Sequence, residues 1–320
     1  MSQPAGPVQG DGAVTLPPLE PLAAPARWWQ RGPRSNPLST AIRWALLLAF
    51  AVIFLYPFLW SVSSALKTRN DFFVHNTRLI PPHFEWSNFV HIFTGVPDIA
   101  AGVPFGHWFL NSMYIGVLAA GTVTISSALV AFAFAYFQFP LRNALFACVL
   151  GSMMLPSAVT MIATYLIWNK VHLTGTQYPL WLSNVFGSAF YIFLLRQFFL
   201  GIPRELFEAA RMDGDNYWTM FWRIAFPLAR PALIVTFVFE FKASWTDLMK
   251  PLIYLNHDSQ FTIPRGLFNL IGTLGPNAGG HGDYEIVMAG LVLATLPMIV
   301  IFFFGQRYFM EGIATQGRKG

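Results

Sequence analysis

Charge is scarce in this 320-residue chain: Asp, Glu, Lys and Arg make up 11% of it, against 55% hydrophobic residues and a mean hydropathy of +0.49. A soluble domain carries about 25% charged residues, so the deficit excludes an ordinary soluble fold and points to a multi-span membrane protein. Cysteine is nearly absent as well. The one thiol, Cys148, lies in an apolar run, which rules out a disulfide framework and a paired-cysteine metal site, and it is expected to be buried and inert. G-x-S-x-G, H-E-x-x-H and G-x-x-x-x-G-K-[ST] are all missing, so no enzyme active site or phosphate loop is written here. The seven histidines show no tight ligand spacing and supply no metal site. A net charge of +5 and a pI near 9.4 would suit nucleic acid, but the bases form no stripe; membrane topology accounts for them instead.

What the chain does have is long apolar runs. Residues 1–40 contain PPLEPLAAP without apolar periodicity and are expected to form a disordered cytoplasmic arm. Arg27, Arg31, Arg34 and Arg43, with Trp28, Trp29 and Trp44, then form a basic and aromatic collar. Runs at Trp44–Leu66, Trp108–Phe137, Ala144–Trp168, Tyr178–Leu195, Pro231–Ile253 and Ile286–Gln306 are each near or above the roughly 20 residues that cross a bilayer. The expectation is therefore an all-α membrane protein with six transmembrane helices, a transmembrane domain over 41–310 and a cytoplasmic tail over 311–320. The second run is expected to open with an interfacial or re-entrant turn, and the fourth, carrying Pro179 and Asn184, has the least secure ends. With both termini cytoplasmic, 13 of the 20 Lys and Arg fall inside and six outside, as the positive-inside rule requires.

Between the fourth and fifth runs lies the longest polar interruption, residues 201–231. It carries Glu205, Glu208, Asp213 and Asp215 with Arg204, Arg211, Arg223 and Arg230, too much charge for hydrocarbon, and the charge count puts it in the cytoplasm. A first short helix is expected from Pro203 to Gly214, and a second after Asp215 as N-cap, with Trp218, Phe221 and Trp222 laid along the membrane interface.

Inside the spans, Ser112, Gly116, Ala120, Thr124 and Ala128 recur every four residues, a ridge that lets another helix approach closely. Pro57, Pro156 and Pro297 interrupt runs and are expected to bend them. Glu240 and Lys242 are ionisable groups within a span; two residues apart on a helix, they face different ways. They are candidates to line a translocation path, or, in a rival reading, to drive a proton- or ion-coupled secondary carrier. A non-transporting scaffold is the third alternative.

The polar interruption also carries a pattern: Glu208-Ala209-Ala210, three residues, Gly214, nine residues, then Ile224-Ala225-Phe226-Pro227. This resembles the EAA motif of permease subunits in binding-protein-dependent ABC importers, with Phe226 where Leu is usual. The similarity runs over roughly residues 40–320 and is nearest to the maltose-type, MalG-like sugar permeases. It includes Asn111-Ser112, Met154-Leu155-Pro156, Leu195-Arg196-Gln197-Phe198-Phe199, Trp245 with Asp247, Leu296-Pro297 and Gln306-Arg307; Thr246 departs from the usual Asn. The resemblance implies a sugar or polyol importer of a prokaryotic cytoplasmic membrane, working by alternating access. It implies a heterodimer with a second permease, two copies of an ABC ATPase that hold the ATP and Mg, and an extracytoplasmic solute-binding protein; no cofactor belongs to this chain. It makes Glu208, Ala209, Ala210, Asp213, Gly214, Ile224 and Pro227 an ATPase-coupling element. Glu240, Lys242, Trp245 and Asp247 become candidates for the substrate path. Gly275, Asn277, Gly279 and Gly280 become a loop reaching the binding protein, and Gly317–Gly320 a tail near the ATPase.

Overall fold

In a computed structural model of the chain the described residues are 37–94, 104–274 and 282–314, without the side chains of 274 and 307–314. All regular structure among them is helical. The chain divides into two compact units, Met1–Tyr56 and Pro57–Gly320. Helix α1, Pro37–Ala65, begins inside the expected arm, and its residues up to Tyr56 show exposed apolar side chains such as Leu48, Val52 and Phe54, a surface suited to lipid.

The second unit is arranged around one long helix. After the short α2 (Arg69–Val74) and α3 (Asn88–Thr94), α4 runs unbroken from Phe105 to Tyr136. At 32 residues it is about 48 Å long, more than the hydrocarbon thickness. It starts three residues before the expected run as plain helix, with Phe105 already buried, so no re-entrant turn opens it. The small-residue ridge explains its central position: Ser112, Gly116, Ala120, Thr124 and Ala128 are all buried. A Cβ at Gly116 would lie 2.9 Å from Cε2 of the buried Phe241 ring, so a larger residue there would force that ring to shift.

The remaining runs are more broken than their hydropathy suggests. The third divides into α5 (Arg142–Ser152) and α6 (Ser157–Lys170), bent by 100° at the Met-Leu-Pro step, where Pro156 cannot continue the α5 ladder. Cys148 on α5 is exposed rather than buried, because α5 packs inward through Phe146 and Val149 and turns the thiol out. The fourth comprises α7 (Tyr178–Leu182), a 3₁₀ turn over Ser183–Phe186, and α8 (Ala189–Leu200). Then come α9 (Arg204–Met212), α10 (Tyr217–Met220), a π turn over Phe221–Ala225, α11 (Phe226–Leu228) and α12 (Arg230–Thr246), the last meeting its predecessor at 79°. Helices α13 (Met249–Tyr254), α14 (Ile263–Leu274) and α15 (Tyr284–Ala314) complete the fold. Pro57 and Pro297, unlike Pro156, lie inside continuous helices. Four described helical segments are long and apolar enough to cross a bilayer alone, and six spans result if each bent pair counts as one.

Two apolar clusters sit at opposite ends of α4. One gathers Phe132 with Phe199, Phe207 and Phe221; the other gathers Trp108 with Phe241, Trp245, Phe261 and Leu267. Irregular chain at the second end is tied down by side chains far away in sequence. Trp108 Nε1 donates to Asp258 O at 2.9 Å, Asn111 Nδ2 to Ser259 O and Phe261 O, Gln177 Nε2 to Gln260 O, and Ile263 N to Ser112 Oγ. Beyond α1, Lys67 is fully buried, its Nζ donating to His75 O and Asn76 O. Burial pushes its ammonium pKa down, and the nearby Asp71 carboxylate partly restores it.

Candidate functional site

Two places hold the residues singled out by sequence. At the first, Pro203 stands as N-cap of α9, where its missing N–H costs nothing, with Glu205 in the positive first turn and Arg211 in the last. The helix covers Arg204–Met212, shorter at both ends than the expected Pro203–Gly214. Its end is a Schellman motif: Gly214 N donates to Arg211 O and Asp215 N to Ala210 O, with Gly214 at φ +89°. Asn216, extended at φ −81° and ψ 165°, rather than Asp215 caps the next helix, its Oδ1 accepting from Thr219 N at 2.8 Å.

This helix has two faces. Phe207 and Ala210 are buried against the bundle, Phe207 lying 5.9 Å from the Phe132 ring and 5.0 Å from Tyr136. Glu205, Glu208, Ala209 and Met212, at helical spacing, form an exposed stripe, with Met212 88% exposed. Asp213 and Gly214 are exposed at its end. The Arg211 guanidinium lies 6.0 Å from the Tyr217 ring and links α9 to α10. Of the three aromatics expected at the interface, only Trp218 stays outward; Phe221 is 1% exposed and Trp222 half-buried. The π turn has a local cause. Pro227 has no N–H and its ring would crowd the Arg223 carbonyl, and widening the helix by one residue relieves both while Phe226 N donates to Phe221 O. Ile224 and Pro227 are half-buried there, Ile224 against the aromatic cluster.

The second place is on α12. Glu240 Oε1 accepts from Asn184 Nδ2 at 2.6 Å, and the Tyr191 phenol lies beside the same carboxylate. Asp247 caps α13, accepting from Met249 N at 3.0 Å and Lys250 N at 3.3 Å, and pairs with Lys250 Nζ at 3.8 Å. Glu240 and Asp247 share a cavity of about 170 Å³ with Ser244, Lys250 and Thr262. Lys242 is not brought to it: two residues from Glu240, it faces an apolar groove between α8, α12 and α15. Trp245 is a packing residue in this geometry, 3% exposed, stacked on Phe241 at 5.6 Å, with Nε1 donating to Ala294 O. Gly275, Asn277, Gly279, Gly280 and Gly317–Gly320 lie outside the described residues. Asn184 and Thr262 were missed by sequence reasoning. The available signal was an amide in an apolar run for Asn184; Thr262 gave none.

Residues 125–314, which contain both places, match the family described as binding-protein-dependent transport system inner membrane component. The chain belongs to that family. The permease is 31% identical over 296 residues to the arabinooligosaccharides transport system permease protein AraQ of Bacillus subtilis, covering 90% of this chain and 99% of the relative. It is 32% identical to the sn-glycerol-3-phosphate transport system permease protein UgpE of Yersinia pestis, over 84% of this chain and 93% of the relative. Its fold superposes on a chain of a bacterial ABC transporter involved in the import of the acidic polysaccharide alginate, with a TM-score of 0.72, 22% identity, and coverage of 86% and 98%. The EAA motif belongs to this family, and membership decides for an importer permease against a secondary carrier. The permease is a transport subunit and not an enzyme.

Proposed function

We propose that this permease carries a sugar or related polyol across the cytoplasmic membrane by alternating access. It crosses six times with both termini inside, and pairs with a second permease and two ABC ATPase copies that bind the ATP and Mg. An extracytoplasmic binding protein delivers the solute. The substrate class rests on the relatives, whose names include arabinooligosaccharides, sn-glycerol-3-phosphate and alpha-glucoside, and so span neutral and anionic solutes. Gly275, Asn277, Gly279 and Gly280 would meet the binding protein.

The observation that carries the coupling assignment is the two-faced α9. One face is fixed to the bundle through Phe207 and Ala210, and the other offers Glu208, Ala209 and Met212 to a partner, with the Gly214 closure holding its end. A helix of nine residues is marginal alone, so a closing ATPase that grips its outer face moves it as a rigid piece together with the spans behind it. Glu208→Lys in the co-expressed complex tests this. The expected result is normal membrane insertion, ATPase co-purification reduced about tenfold for reversal of an interfacial charge, and lost uptake. Normal uptake and co-purification would overturn the docking assignment.

A further inference from the structure

The small cavity at Glu240 does not stand alone. A second one, of about 500 Å³, shares Asp247 and Lys250 with it as a common wall and carries Ser157, Thr160 and Thr164 from one face of α6, with Tyr254 opposite. The far side of that helix shows Val159, Ile162 and Leu166, exposed and apolar. Thr160 and Thr164 donate their hydroxyl hydrogens to Ser157 O and Thr160 O, which leaves the oxygen lone pairs free to accept. In the small cavity Thr262 is 2% exposed, and its Oγ1 has no hydrogen-bond partner among the described residues. A buried hydroxyl left unpaired is costly, so this wall calls for a guest that donates or accepts hydrogen bonds.

The charges on the wall are unbalanced. Glu240 and Asp247 face one cation, Lys250, and Asp247 already holds it. Among the described residues no other Lys, Arg or His lines either cavity, and Lys242 is on the opposite side of α12. Carboxylates accept from sugar hydroxyls, whereas a uronate or phosphate brought here would meet like charge. We propose that the two cavities form one site for an uncharged saccharide, and that Glu240 and Asp247 exclude anionic sugars from it. The proposal rests on the sugar-importer reading above.

The test is saturation-transfer NMR on the assembled importer in nanodiscs, binding protein omitted, with maltotriose and trigalacturonate as probes. Maltotriose is expected to bind and trigalacturonate to bind at least about tenfold more weakly. Thr262→Val is expected to weaken maltotriose, and Glu240→Gln to narrow the ratio between the probes; should Glu240→Gln fail to fold, Asp247→Asn reads the same ratio. Equal binding of both probes, an unchanged ratio in the variants, or no saccharide binding by a complex that still imports sugar would each overturn the proposal. Uptake of neutral saccharides by vesicles carrying the whole system is a separate measurement. Its absence with binding intact would overturn sugar import and leave the site standing.

Discussion

The two ends of α4 solve the same packing problem by different means. At the α9 end, regular helices meet through rings: Phe132 lies 5.4 Å from Phe221 and 5.9 Å from Phe199, and polar help comes from Arg196 and Arg142 reaching the carbonyls of Phe134 and Phe137. At the other end the chain over 255–262 is mostly irregular, and its carbonyls are taken up by Trp108, Asn111 and Gln177. Helices satisfy their own backbone and can slide or tilt as units; irregular chain has no ladder of its own, and here its carbonyls take donors from neighbouring helices although 256–259 are exposed. The contrast suits the coupling proposed above, in which the α9 end is driven, and the saccharide site proposed above, for which the far end presents a polar wall.

Substitutions can break this contrast at either end. The largest loss is expected from Phe221→Ala, which empties the middle of the aromatic cluster and should cost about 3 kcal/mol or more. Thermal unfolding of the purified complex would read it as a clear drop in Tm, and an unchanged Tm would mean that the cluster is not what holds α10 to α4. Asn111→Leu removes the donors to Ser259 O and Phe261 O for about 2 kcal/mol, with proteolysis within 255–262 as the readout. If cleavage there does not increase, the polar ties do not hold that segment. The mildest effect, about 1 kcal/mol, belongs to Gly214→Ala. An added Cβ meets no atom within 4 Å, so strain at φ +89° is its only source, and equal stability by denaturant melt would show that the α9 closure adapts.

Much of the α9 region was legible because its signals are local. Pro203, Glu205, Arg211 and Gly214 are capping and dipole residues that act within one turn of their own position. The next cap lies one residue on, because Asp215 and Asn216 are adjacent and of equal capping strength, and Asn216 is the one that takes the extended backbone at the start of α10. The four-residue ridge on α4 was equally plain, since close packing needs small residues wherever the partner lies. Hydropathy, by contrast, registers neither direction nor continuity. It counted α5 and α6 as one run across a 100° bend and gave Cys148 a buried position that the outward face of α5 denies it. The bonds from α4 to residues 258–263 span about 150 positions, and no local pattern announces them. For the same reason Thr262 could not be placed beside Glu240.

A π turn is an α-helix carrying one surplus residue, so the stretch Phe221–Ala225 takes up that residue within one widened turn and leaves the helix on either side in step. Deleting one residue there would restore a regular α-turn with the flanks still in step, whereas deleting one from a regular α-turn rotates everything on one side by about 100° and retracts it by about 1.5 Å. Met220 and Phe221 would stay on the aromatic cluster after the first deletion, while the second would swing one part of its helix off its packing face. The widened turn therefore acts as a spare link, absorbing a change of one residue that a regular helix would pass on to everything beyond it.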